Sequence, residues 1–132
     1  MNEVTGTRVV GPIDIRVPAD PALSRVMRLA ASGMASLAGF TIDDIEDVKI
    51  ALSEVLIALI EHGEGHLINL CLDVEDGTFS IRGSTTATAF DIDDPDLALC
   101  RAVLDGVCRD HRIEVTDSGV TIHASVAAAD LG

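Results

Sequence analysis

Apolar and polar residues alternate with a period of two in five segments of the chain, the pattern of strands with one buried face. The first segment lies near the N-terminus, and the other four form two hairpins with turns at residues 75–77 and 117–119. We therefore predict five strands, whose apolar positions are Ile13, Ile15, Val17, Ile68, Leu70, Leu72, Val74, Phe79, Ile81, Ile113, Val115, Val120, Ile122, Ala124 and Val126.

Three other segments repeat their apolar residues at helical spacing, and each begins with a capping signal. Asp20-Pro21 begins the first helix, which Gly39 ends. Thr41 and Asp44 form a capping box at the start of the second helix, and Asp94-Pro95 begins the third. The predicted inward positions are Leu23, Met27, Ala30, Met34 and Leu37 in the first helix, Ile45, Val48, Leu52, Val55 and Leu59 in the second, and Leu97, Cys100, Val103, Leu104 and Val107 in the third.

The order of these elements is strand, helix, helix, strand, strand, helix, strand, strand. Two consecutive helices cannot each connect parallel strands, so they pack together on one face of the sheet. We therefore predict a two-layer α/β sandwich with a mixed, mostly antiparallel sheet and three helices on one face. The length of 132 residues fits one domain over residues 1–132, and we expect frayed tails at about residues 1–11 and 127–132.

The composition is acidic and poor in aromatic residues, with a formal net charge of −13, no Trp, no Tyr and three Phe. Such a surface repels a phosphate backbone and offers few rings for stacking on bases, so we expect no nucleic-acid partner. We find no secretory signal and no apolar run long enough to span a bilayer, so we expect a cytoplasmic protein without a membrane partner. The acidity fits a basic protein partner, and it fits solubility alone equally well.

One face of the second helix carries the most informative residues. A stripe of acidic and small residues flanks its apolar stripe, at steps of three and four positions. Glu54 belongs to this stripe and is surrounded in sequence by apolar residues, so its carboxylate must be solvated, paired or used. On an isolated helix the solvated interpretation is favoured. The stripe consists of Asp47, Ala51, Glu54, Ala58 and Glu61.

Residues 30–63, above all the run IDDIEDVKIALSE and the His-Gly that ends the helix, resemble the anti-sigma-factor serine kinases of the GHKL (Bergerat-fold) ATPase superfamily. The order of the elements is similar as well. The resemblance implies a histidine-kinase-like ATPase fold and a nucleotide bound between this helix and the sheet. It also implies phosphorylation of a small anti-anti-sigma partner, binding of a sigma factor, and a homodimer.

The residues that would bind nucleotide in this family are mostly replaced. Glu54 matches the family's catalytic glutamate, but Ala58 stands where the resemblance implies a Mg²⁺-binding Asn, and a methyl group offers no oxygen ligand. The family's Asp-x-Gly-x-Gly loop aligns with residues 85–91, where Ala87 and Ala89 stand in place of glycines. The family's Gly-Leu-Gly-Leu aligns with residues 96–99, where Asp96 and Ala98 replace both glycines.

From these departures we predict a regulator with a degenerate ATP site that acts by binding a protein. That partner is a sigma factor, an anti-anti-sigma protein or a kinase homologue. Glu54 is then an inactive remnant, and we expect no cofactor and no metal. An active serine kinase that uses ATP and Mg²⁺ remains the alternative, and a structural subunit paired with an active homologue is a third. The acids at positions 91, 93, 94 and 96 faintly resemble a calcium loop, but its central Gly and distal Glu are missing, so the favourable placement of acids at a helix start is the preferred explanation.

Overall fold

A computed structural model describes residues 10–62, 67–86 and 91–129, except for the side chain of His62. The elements follow the predicted order, with one short 3-10 helix added before the first α-helix. The strands are β1 (Val10–Val17), β2 (Ile68–Glu75), β3 (Thr78–Thr85), β4 (Asp110–Thr116) and β5 (Gly119–Ala127), and the helices are the 3-10 turn Pro21–Leu23, α1 (Ser24–Leu37), α2 (Ile42–His62) and α3 (Pro95–Val107).

The five strands form one sheet in the order β1-β2-β3-β5-β4. All four pairings between these described strands are antiparallel, so the sheet is antiparallel throughout this part of the chain and not mixed. Helix α1 packs on β1 and β2, α2 on β3 and β5, and α3 on β4. The two-layer α/β sandwich is confirmed. No helix within the described ranges is long and apolar enough to cross a membrane.

The alternation of apolar and polar residues orients the sheet as predicted. The apolar positions of β2, β3 and β5 are buried under the helices, while the alternate residues, most of them polar, point to the other face. The T-shaped contact of Phe40 with Phe79 joins the start of α2 to the sheet. The buried sheet residues are Ile68, Leu70, Leu72, Val74, Phe79, Ile81, Val120, Ile122, Ala124 and Val126.

Capping explains where the helices begin and end. Asp20 accepts a hydrogen bond from the Ala22 amide, so it caps the 3-10 turn, and α1 starts only at Ser24. Gly39 has a φ of +87°, and the amides around it close the end of α1 in a Schellman motif, as the sequence predicts. The Thr41 hydroxyl accepts from the Asp44 amide at 3.1 Å, which confirms the start of α2.

Some details differ from the sequence prediction. Met27 and Met34 are buried in α1 as expected, but Leu37 is 60% exposed and the buried alanines are Ala31 and Ala35, not Ala30. The buried face of α1 is rotated because α1 packs on α2 as well as on the sheet. Of the two expected tails, residues 10–11 belong to β1 and residue 127 to β5, and residues 1–9 and 130–132 lie outside the described part.

Candidate functional site

A cleft with a volume of about 300 Å³ lies between α2 and α3, and we call it the α2–α3 cleft. Each helix contributes residues one turn apart, because positions three and four apart share a face. Glu54 and Ala58, which the sequence singles out, both line it, and so does Asp96. The described residues that line it are Glu54, Ile57, Ala58, Glu61, Asp96, Leu97, Leu99 and Cys100.

A glycine in the sheet fixes the position of α2. A Cβ atom on Gly83 of β3 would lie 2.7 Å from Leu59 Cδ1 and 2.9 Å from Val55 Cγ1, closer than real Cβ contacts. A side chain at residue 83 would therefore require Leu59 and Val55 of α2 to shift, so the glycine allows the close packing of α2 on β3. With Val55 and Leu59 against the sheet, the adjacent face of α2, which carries Glu54 and Ala58, lines the cleft beside α3.

Glu54 lies at the contact between the two helices. Its backbone carbonyl accepts a hydrogen bond from Cys100 Sγ at 3.8 Å. Burial raises the pKa of the Glu54 carboxyl, and repulsion from the Glu61 carboxylate raises it further. Burial, with the charge of Glu54 as a smaller cause, also raises the pKa of the Cys100 thiol to about 11. Cys100 is therefore an unreactive part of the helix packing.

Ala58 is 3% exposed and lines the cleft with a methyl group one helical turn beyond Glu54. The place at which the resemblance implies a metal-binding amide therefore holds no oxygen or nitrogen donor. Within residues 10–62, 67–86 and 91–129, no group of three or more His, Cys, Asp or Glu side chains could hold a metal ion.

The acidic side chains before α3 accept hydrogen bonds from nearby backbone amides. Asp91 Oδ1 accepts from the Asp93 amide, and Asp94 Oδ1 accepts from the Asp96 amide, each at 2.9 Å. Asp94 is the N-cap of α3, as the sequence predicts. This geometry matches the capping interpretation of these acids. Asp96, in the first turn of α3, is the acid that reaches the α2–α3 cleft.

The remaining positions of the family motifs lie elsewhere or outside the described residues. Thr85 is buried and its hydroxyl donates to the Leu67 carbonyl at 3.0 Å, so it ties the ends of β2 and β3 together. Ala98 is exposed. Ala87 and Ala89 fall in residues 87–90, outside the described part. The sequence analysis did not single out Ile57 or Leu99 as cleft residues, although each lies three residues from an acid that lines the cleft, Glu54 and Asp96 respectively.

The sequence profile of the histidine kinase-like ATPase domain matches residues 17–130, which is most of the chain. The chain therefore belongs to the histidine kinase-like ATPase domain family. Its five-stranded antiparallel sheet, covered by three helices, has the architecture of this family.

The chain is similar to two proteins named serine-protein kinase RsbW. It is 38% identical to the one from Staphylococcus epidermidis over 84 residues, 60% of this chain and 53% of that protein. It is 39% identical to the one from Bacillus subtilis over 70 residues, 53% of this chain and 44% of that protein. The chain thus spans about half the length of these relatives or less.

A solved structure shares the fold. The crystal structure of the RsbU and RsbW domains of Rv1364c from Mycobacterium tuberculosis superposes with a TM-score of 0.67 over 90% of this chain and 33% of that one. The sequence identity is 21%, so this likeness supports the fold alone.

Proposed function

We propose that this chain is an anti-sigma-type regulator of bacterial transcription that acts by binding a protein and does not transfer phosphate. Membership of the ATPase domain family and similarity to serine-protein kinases named RsbW support the regulatory part. The proposal that the chain does not transfer phosphate rests on Ala58, whose methyl group lines the cleft where the resemblance implies a ligand for Mg²⁺.

The electrostatics of the cleft favour the same proposal. Phosphoryl transfer depends on metal ions and donors that neutralise the charge of the phosphates. Glu54, Glu61 and Asp96 line the cleft with three carboxylates, and the part of the lining that the structure describes contains no Lys or Arg. A triphosphate would meet like charges from both helices, and Ala58 offers no ligand for the metal that would neutralise them, so this lining disfavours ATP with Mg²⁺.

A working serine kinase is the second candidate, and Glu54 favours it. A carboxylate whose pKa is raised by burial in a cleft is the type of group that acts as a general base. In that case the protein would bind ATP with Mg²⁺ and phosphorylate an anti-anti-sigma partner. A third candidate is a structural subunit that pairs with an active homologue.

We also propose a homodimer located in the cytoplasm. The sheet face that points away from the helices carries charges of both signs, so acidic and basic residues of two copies can pair across a two-fold axis. These charged residues are Asp14 and Arg16 in β1, Asp73 and Glu75 in β2, Arg82 in β3, and Asp110, Arg112 and Glu114 in β4.

A thermal-unfolding assay with ATP, with and without Mg²⁺, separates the first two candidates. A ligand that binds the native state raises the melting temperature, so the regulator is expected to show no Mg²⁺-dependent shift. A tagged chain recovered from its native cell should carry a sigma factor or an anti-anti-sigma protein. A shift that requires Mg²⁺, together with a phosphorylated serine on the recovered protein, would establish the kinase instead.

A further inference from the structure

The α2–α3 cleft exposes large apolar side chains on both of its walls. Ile57 of α2 is 46% exposed and Leu99 of α3 is 70% exposed, and both line the cleft. Between them the lining includes Ala58 and Leu97, which are buried apolar residues. Apolar surface of this kind gains free energy when a partner covers it, so paired exposure across one groove indicates a binding surface.

The charges of the cleft determine which partner fits. Glu54, Glu61 and Asp96 line the same groove, and none of its other described lining residues is basic. Glu61 lies two helical turns beyond Glu54, and its charge contributes to the raised pKa of the Glu54 carboxyl after burial, so a cation placed between the two carboxylates would offset their repulsion. Complementarity therefore requires a partner with positive charge beside apolar surface.

We infer that the α2–α3 cleft is the docking groove for a short amphipathic helix of a protein partner, with apolar side chains against Ile57 and Leu99 and a lysine or arginine among Glu54, Glu61 and Asp96. This inference rests on the proposed function and names the chemistry of the partner. A volume of about 300 Å³ admits a few side chains at the edge of a helix. A helix laid in a groove uses this combination of apolar anchors and flanking charges.

The test uses a synthetic peptide of about 15 residues, long enough to form a helix, with leucine on one face, lysine on the other and one tryptophan. The chain contains no Trp and no Tyr, so the fluorescence of the peptide reports binding without background from the protein. A matched peptide with glutamate in place of lysine is the control for charge, and we expect no measurable binding of it.

Two pairs of variants locate the binding site. Leu99→Ser removes an apolar anchor, and Leu29→Ser, at a position of α1 that is 66% exposed, is its match outside the cleft. Glu61→Gln removes a charge from the cleft, and Glu75→Gln removes one from the exposed end of β2. We expect Leu99→Ser to weaken peptide binding by about fivefold and Glu61→Gln by about threefold, while both control variants change it by less than about twofold.

Other results would overturn the inference. The groove is not the site if the lysine peptide does not bind, or if each cleft variant behaves as its control does. Self-association of the chain that Leu99→Ser abolishes would assign the groove to a second copy. Competition by Mg²⁺–ATP at micromolar concentration would assign it to nucleotide and contradict the proposed function as well. If the peptide fails and ATP also fails to bind, only the groove inference falls.

Discussion

Ala58 lies one turn of α2 beyond Glu54, and both side chains line the cleft between α2 and α3. The glutamate thus keeps the position that the family resemblance gives to a catalytic residue, while the adjacent position offers only a methyl group. The carboxylates of Glu61 and Asp96 add negative charge to the same cleft. On the proposed function this cleft binds a cationic and apolar partner in preference to a nucleotide.

Replacing Glu54 by Gln should change the free energy of unfolding at neutral pH by less than about 1 kcal/mol, because Gln keeps the shape and hydrogen-bonding capacity of the side chain. The pH dependence has a definite sign. The pKa of Glu54 is raised from its ordinary value of 4.5, so the folded state holds the proton more tightly than the unfolded state. The resulting stabilisation is complete below pH 4.5 and is lost as the pH rises through the raised pKa.

Urea unfolding from pH 4 to pH 7 measures this effect. The wild-type protein should lose stability relative to Glu54→Gln as the pH rises above 4.5. The control variant Glu75→Gln should show the same dependence of the unfolding free energy on pH as the wild type. A difference between wild type and Glu54→Gln that stays constant over the whole range would show that the Glu54 proton is not linked to folding.

Gly83→Ala should destabilise the protein by about 1–3 kcal/mol, because the new methyl group would overlap Leu59 and Val55 of α2. The matched control is Gly106→Ala in α3, where no atom lies within 4 Å of the added methyl group. That change should stabilise the protein by about 0.5–1 kcal/mol, since Ala favours a helix over Gly. Denaturant midpoints of the two variants should move in opposite directions. Equal midpoints would mean that α2 does not approach β3 this closely.

Asp44 should stabilise the C-terminal end of the sheet. It is 6% exposed, and its Oδ2 atom accepts from the Ala129 amide at 3.0 Å. Asp44→Ala leaves that amide without its acceptor, so it should cost about 1–3 kcal/mol and speed hydrogen exchange at Ala129. Asp43→Ala, at the exposed neighbouring position, should affect exchange at Ala129 little. Equal exchange rates at Ala129 in the two variants would contradict this role.

Local patterns predict most of the fold because each of them reports one buried face. The alternation in β2 and β3 identifies the residues under the helices, and the Asp20, Thr41 and Asp94 signals place caps that the structure confirms. Contacts between distant residues leave no such local signal. Nothing near Asp44 in the sequence indicates that its carboxylate bonds to residue 129, 85 positions away.

The sequence predicts only the part of the candidate site that lies on one helix. Glu54 and Ala58 can be identified from the helical spacing and the family resemblance, because both lie on a single face of α2. Ile57 and Leu99 belong to the cleft only because α2 and α3 pack side by side and leave both side chains exposed at the groove. Taken alone, the sequence of each helix has the pattern of an ordinary exposed surface with an occasional apolar residue. The groove can therefore be identified only from the tertiary structure.

Calorimetric titration of the purified chain with ATP in the presence of Mg²⁺ tests the central claim most directly. The account predicts no saturable binding with a dissociation constant tighter than about 1 mM, and no difference when Mg²⁺ is withdrawn. A micromolar dissociation constant that requires Mg²⁺ would contradict it and would show that the cleft accepts a metal-bound nucleotide despite Ala58 and its three carboxylates.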